Sequence, residues 1–279
     1  IHKFNFPQRL ELTKKKQLAE LTFNTMKELS LVQQPVECFF ESMTALERDY
    51  LYEHFLLFEP IKDSLLGQAF LFDEKGDILI KMHVLDHIEV CALEQSEQLE
   101  KALEKVQAIE KGLEKHISFA FSPKFGYLTE DPTICGTGLV VKAFLHVPAL
   151  IETGEIEYLL NNSPAEGVTL TGLHGNEKEI IGDMIVISNR WTLGTTEESI
   201  LSLIRTTAMA VASHEKEMRN KLQQTQPRDA ALFDRISRML GTLKFSYTMD
   251  TEEALRDLSL AKLGVELGWL TGISLEELN

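Results

Sequence analysis

Cysteine, basic side chains and long apolar runs are all scarce in this chain. The three cysteines, Cys38, Cys91 and Cys135, are widely separated and lack paired-ligand spacing. That argues against a disulfide framework or a cysteine-built zinc site and fits a reduced, cytoplasmic protein. Lys and Arg number 28 against 43 Asp and Glu, a formal net charge of −15. Such a balance repels phosphate backbones and anionic bilayers, so neither nucleic acid nor membrane is expected as a partner. No apolar run approaches the ~18 residues needed to cross a bilayer. Internal repeats and low-complexity segments are absent. The chain opens Ile1-His2-Lys3, neither an initiator Met nor a signal peptide, which leaves room for further residues upstream.

What is present suffices for a folded core. With 279 residues, 44% of them hydrophobic, the chain can form one large domain or two small ones. Helical periodicity runs through 9–30, 44–57 and, most clearly, 94–116, where Leu99, Leu103, Val106, Leu113 and Ile117 share a face. Runs of β character at Gln68–Phe72 and Asp77–Met82 flank Asp73-Glu74-Lys75-Gly76, a hairpin signal, and Ile88–Leu93 extends the sheet. A short helix follows Pro148 to about Asn161. Strands are expected over Glu166–Leu173 and Ile180–Ser188, and helices over Glu197–Leu222, Arg228–Leu240 and Thr251–Leu263. This order of elements gives an α+β class: helices, then strands interleaved with one long helix, then a helical end.

The chain is organised around Phe121–Leu150. Two apolar runs there flank the loop Asp131-Pro132-Thr133-Ile134-Cys135-Gly136-Thr137-Gly138. Pro132 fixes φ and lacks a donor, while Gly136 and Gly138 permit conformations closed to other residues. Such a loop can lay backbone N–H groups against an anion, or can simply connect two buried strands. Phe125-Gly126-Tyr127-Leu128-Thr129, Pro132-Thr133, Gly136-Thr137-Gly138-Leu139 and Leu145-His146-Val147-Pro148 together resemble, without a gap, the signature of the ATP:guanidino phosphotransferases. The similarity is greatest to the bacterial protein-arginine kinases. Asn5-Phe6-Pro7, Gly172-Leu173-His174-Gly175, Ile187-Ser188-Asn189, Thr192-Leu193-Gly194 and Leu263-Gly264-Val265-Glu266-Leu267-Gly268 extend it over most of the chain.

The resemblance implies a site and, at the same time, its loss. The family's cysteine position is Asp131 here, its signature arginine Val140, and a later loop arginine Thr171. In the segment His83-Val84-Leu85-Asp86-His87-Ile88-Glu89 the catalytic carboxylate position is Leu85 and the phosphate-binding arginine is Glu89. Phosphoryl transfer to a guanidinium depends on arginines and Mg²⁺ to stabilise charge and on a carboxylate to orient the acceptor. One such arginine is worth roughly 10³–10⁵ in rate. Relocated groups that could serve a nucleotide instead are His87, Lys142, His174 and Arg190, with Lys178 nearby. Thr133, Gly136, Thr137, Gly138 and Glu179 are the retained loop positions. His83 and His87, four apart in a strand–turn context, read as structural, and no metal is expected. Cys135 reads as an inert core thiol.

Two functions follow from the resemblance. One is a pseudokinase that keeps the catalytic scaffold as an interaction module, with no cofactor. Its implied partners are a zinc-binding activator, a second copy, an active paralogue or an AAA+ protease complex. The other is a divergent, active protein-arginine phosphotransferase using Mg-ATP. The expected domains are a catalytic scaffold over 1–222 and a helical extension over 223–279.

Overall fold

The computed structural model describes residues 1–30, 32–53, 66–95, 98–162, 165–176, 179–225 and 227–278. The chain forms two compact units. The first comprises Ile1–Val140 and Trp191–Leu201, the second Val141–Arg190 and Ser202–Asn279.

In the first unit, α1 (Leu12–Leu29) ends at Ser30, which takes the left-handed conformation of a helix stop. A strand the periodicity does not announce, β1 (Val36–Phe39), precedes α2 (Ala45–Glu53). The remainder of the expected second helix, 54–57, lies outside the described residues. β2 (Ala69–Phe72), β3 (Ile78–Met82) and β4 (Ile88–Ala92) complete an antiparallel sheet in the order β1-β2-β3-β4. The β2–β3 hairpin closes as its residues dictate. The Asp73 carboxylate accepts from the Ile78 N–H at 2.9 Å, and Gly76 supplies a positive φ of 74°.

Period 2 divides the sheet's side chains. Ala69, Leu71, Ile78, Ile80 and Met82 pack with Ala19, Phe23 and Met26 of α1 and with Ile109 and Leu113 of α3 (Leu99–Glu114). The other face buries Phe70 and Leu79 with Phe40 and Met43. Two short strands, β5 (Phe121–Ser122) and β6 (Gly126–Tyr127), form a separate hairpin after α3.

In the second unit, β7 (Lys142–His146), β8 (Val168–Gly172) and β9 (Met184–Asn189) form an antiparallel sheet in the order β7-β9-β8. The single helix expected after Pro148 is two, α4 (Pro148–Glu152) and α5 (Glu155–Asn161), because Gly154 takes φ 76° between them. The buried Glu215 of α6 (Glu197–Gln224) receives the N–H groups of Ala149 and Leu150 at 3.1 and 2.9 Å, satisfying the open end of α4. Arg219 links Glu215 to Glu266. Helices α7 (Ala230–Phe245) and α8 (Thr251–Glu266) start at the side-chain caps Asp229 and Asp250 and pack on each other. The expected division at 222/223 falls inside α6.

The stretch around the signature loop is built differently from a connection between two buried strands. β5 is two residues long with Phe121 60% exposed, and β7 belongs to another sheet.

Candidate functional site

The β3–β4 turn carries the positions that resemble catalytic ones, and its groups are engaged within the protein. Glu89 on β4 lies directly across from Lys81 on β3, and their side chains form an ion pair at 2.5 Å. Lys81 is only 5% exposed. Burial works against its charge, but Cys91 and Glu89 outweigh that and raise its pKa. The Cys91 thiol also donates to the Glu89 carboxylate at 3.5 Å. Glu89 is therefore not a lone carboxylate turned towards a phosphate, as its position suggests, but the counter-ion of a buried lysine. Asp86 accepts the Glu130 N–H at 2.8 Å, tying the turn to the start of the signature loop. Leu85 is 57% exposed and Val140 41%.

The two histidines hold the turn in place. His83 Nε2 lies 3.0 Å from the Lys15 carbonyl, His87 Nε2 lies 2.9 Å from the Asn5 carbonyl, and the Nδ1 atoms are 3.4 Å apart. Burial, reinforced by nearby positive charge, lowers both pKa values to about 4. His87 is thus a buried clamp, and its ring nitrogens face the protein. Among the described residues no group of three His, Cys, Asp or Glu side chains is placed to hold a metal ion.

The loop after β6 directs its donors inward. Asp131 accepts from the Thr133 N–H and hydroxyl at 2.8 and 2.7 Å, capping the 3₁₀ turn Pro132–Ile134. The N–H groups of Ile134, Cys135 and Gly136 go to the carbonyls of Asp131, Pro132 and Tyr127. These four N–H groups are bonded within the protein and do not form an anion cradle, one of the two arrangements open to the loop from its sequence. The Thr192 hydroxyl donates to the carbonyls of Ile134 and Cys135, and Gly136 lies against the Thr192 backbone, where a Cβ would meet its oxygen at 2.6 Å. Thr137 caps Leu139 N, and Gly138 takes φ 67°. Cys135 Sγ sits 3.4 Å from the Thr129 hydroxyl and 4.0 Å from the Thr129 carbonyl.

In the second unit the register decides which basic residues meet. Lys142 pairs across with Ser188, and Ser188 with Thr169, so one sheet face carries Lys142, Phe144, Thr169, Thr171 and Ser188. Arg190 follows β9 at the Lys142 end, whereas His174 lies beyond Gly172 at the opposite end. Four strand residues, roughly 13 Å, separate those ends. Lys142 and Arg190 lie at the same end of the sheet, and His174 lies at the other. Glu179 is exposed and accepts from Asn176 at 3.3 Å. Lys178 lies outside the described residues.

A model of the ATP:guanido phosphotransferase C-terminal catalytic domain matches residues 16–218, and one of the protein-arginine kinase McsB C-terminal domain matches 229–279. The chain belongs to the ATP:guanido phosphotransferase family. Within it, the chain is 33% identical to a protein-arginine kinase of Halothermothrix orenii over 84% of its own length and 66% of that protein's. It is 33% identical to one from Syntrophomonas wolfei, covering 92% and 70%, and 35% to one from Chlamydia muridarum, covering 80% and 62%. The chain thus spans about two thirds of the length of these relatives. The fold is that of guanidino kinases. The duplicated taurocyamine kinase of Schistosoma mansoni superposes with a TM-score of 0.66 at 19% identity, covering 90% of this chain and 39% of that one. Lombricine kinase superposes at 0.65 and 17%, covering 79% and 64%.

Sequence reasoning missed Lys81, the residue that explains Glu89. The available signal was a lone lysine inside the apolar run Ile78–Met82, but only strand register shows which residue it faces.

Proposed function

We propose that this chain is a guanidino-kinase scaffold kept as a regulatory or scaffolding partner without phosphotransfer, a pseudokinase of bacterial protein quality control. The observation that carries the reading is the Lys81–Glu89 ion pair. At the position aligned with a phosphate-binding arginine stands a carboxylate, and that carboxylate already has a buried cation. Leu85, Val140 and Thr171 at the other aligned positions offer neither positive charge nor a base. These residues do not fit a nucleoside triphosphate with Mg²⁺, whose charge calls for arginine forks. No helix among the described residues is long and apolar enough to cross a membrane, and the reading places the protein in the cytoplasm. Its partner would be a second copy, an active paralogue or the zinc-binding activator of the protein-arginine kinase system.

A divergent but active protein-arginine phosphotransferase is the second reading, favoured by the face that brings Lys142 beside Ser188, with Thr171 on the same side. A thermal-shift titration with Mg-ATP separates the two. A ligand at 100 times its dissociation constant stabilises by about 2.7 kcal/mol. The scaffold reading expects no shift at millimolar Mg-ATP beyond that of matched salt, and a clear nucleotide-specific shift would reverse the preference.

A further inference from the structure

The hairpin β5–β6 and the end of α3 enclose a feature that none of the phosphotransfer positions contributes to. Phe119, Phe121 and Tyr127 stand edge to face, with ring centroids 6.2 Å apart for Phe119–Tyr127 and 5.5 Å for Phe121–Tyr127. With Glu114 and Ser118 they line an open depression of about 480 Å³. Phe121, one of the lining rings, is 60% exposed. Glu114 lines the depression, and Glu110 and Glu197 lie close enough to Tyr127 to act on it. Burial pushes the Tyr127 pKa up to about 12, and the negative charges of Glu110, Glu114 and Glu197 add to that rise. Glu197 is fixed by the Gln107 amide at 2.7 Å. Glu114 is the last residue of α3, where the carbonyl end of the helix adds negative potential. Its carboxylate makes no ion pair or hydrogen bond among the described residues.

Aromatic faces attract cations through their quadrupoles, and carboxylates at the rim add a directed charge partner. A neutral apolar ligand would gain nothing from the carboxylates, and an anion would be repelled by them and by the −15 net charge. We propose that this depression is a docking site for a cationic side chain displayed by a partner protein, with arginine preferred to lysine. A guanidinium can lie flat against Phe121 or Tyr127 while its fork reaches Glu114; an ammonium can do only one of these well. The proposal goes beyond the scaffold reading and is independent of whether nucleotide binds. It concerns where a partner's chain touches this one.

The test uses acetylated, amidated Gly-Ser-Arg-Gly-Ser, with lysine and citrulline in place of arginine as parallel arms. Citrulline keeps the shape and removes the charge. Binding is followed by NMR shifts of the aromatic side chains, with Phe121→Ser and Glu114→Gln as variants. Both sites are exposed, so the fold should survive, as melting curves will check. The expected result is saturable shifts of the Phe121 and Tyr127 resonances by the arginine peptide. Binding should be at least fivefold weaker for citrulline and fivefold weaker in each variant, with lysine intermediate. Equal binding of arginine and citrulline would overturn the proposal. So would arginine binding that both variants leave unchanged, since the peptide would then be answering the overall negative charge and not this site.

Discussion

At the scale of single residues, Glu89 is held in structure by its pairing with the buried Lys81. A carboxylate at position 89 looks, from alignment, like a repulsive defect that arginine would repair. The Lys81 contact changes that expectation, because Glu89→Arg removes the partner of a buried lysine and sets a second cation against it. Breaking a fully buried pair costs roughly 3–5 kcal/mol, and since Glu89 is 41% exposed we expect about 2 kcal/mol for Glu89→Arg in urea denaturation. The exchange Lys81→Glu with Glu89→Arg should recover most of the loss. If the double change is as unstable as the sum of the singles, the pair is not what holds the position. The histidines set the pH response. His83, His87 and His146 have pKa values lowered to about 4, chiefly by burial, from the usual 6.5. A lowered folded-state value means the unfolded chain takes up protons first. The stabilisation is therefore complete above pH 6.5 and is lost as pH falls towards 4, by up to about 3 kcal/mol per ring. Asp86 and Asp183, whose pKa values burial raises, act in the opposite sense near the foot of that range. Urea titrations at pH 7 and 5 should show the decline, and His146→Gln should flatten it. An unchanged midpoint in the wild type would show that these rings stay accessible to protons in the folded state.

Among the elements, legibility followed agreement between local signals. The β2–β3 hairpin is readable because two short, nearly continuous apolar runs flank an Asp-to-Gly turn at the place where the ladder must reverse. α3, α6 and α8 are readable from their apolar faces. β1 is not, since its four residues follow Pro35 with no alternation long enough to distinguish strand from loop. The α4–α5 break hides in one glycine. The family signature is readable as descent, yet its donors turn inward through Asp131, Thr192 and Gly136, contacts that only the folded loop discloses. Two glycines gauge how tightly these connections are built. Gly136→Ala places a methyl 2.6 Å from the Thr192 carbonyl oxygen and 2.9 Å from Leu193 Cα, backbone atoms that cannot rotate away, at φ 115°. Gly154→Ala meets nothing within 4 Å and bears only the strain of φ 76°. We expect about 3 kcal/mol for the first and about 1 kcal/mol for the second, measured by urea denaturation. Equal losses would show that the signature loop relaxes around a methyl group.

For the whole molecule, division by descent and division by contact differ. The family models meet between 218 and 229, and the sequence alone suggested a helical extension over 223–279. The second compact unit instead joins Ser202–Asn279 to Val141–Arg190, and polar contacts account for the union. His146 of β7 bonds the Ser259 hydroxyl of α8 at 2.7 Å, and Ser259 donates in turn to Asp183, which precedes β9. Arg235 of α7 makes a two-pronged bond to Glu152 at 2.7 and 2.8 Å. Ser259 is buried, as are its neighbours Leu260, Ala261 and Leu263. Ending the chain after Thr225 would leave His146 and Asp183 without their partner and expose the apolar surface that α8 covers, the two kinds of loss that most destabilise a core. We therefore expect the truncated chain to lose hydrogen-exchange protection across β7, β8 and β9 by at least tenfold. The amides of β2 and β3, whose core is formed with α1 and α3, should keep theirs. Exchange measured strand by strand in both chains decides the matter. If β7–β9 stay as protected without α7 and α8 as with them, residues 223–279 are a separable appendage, and the division by descent is also the physical one.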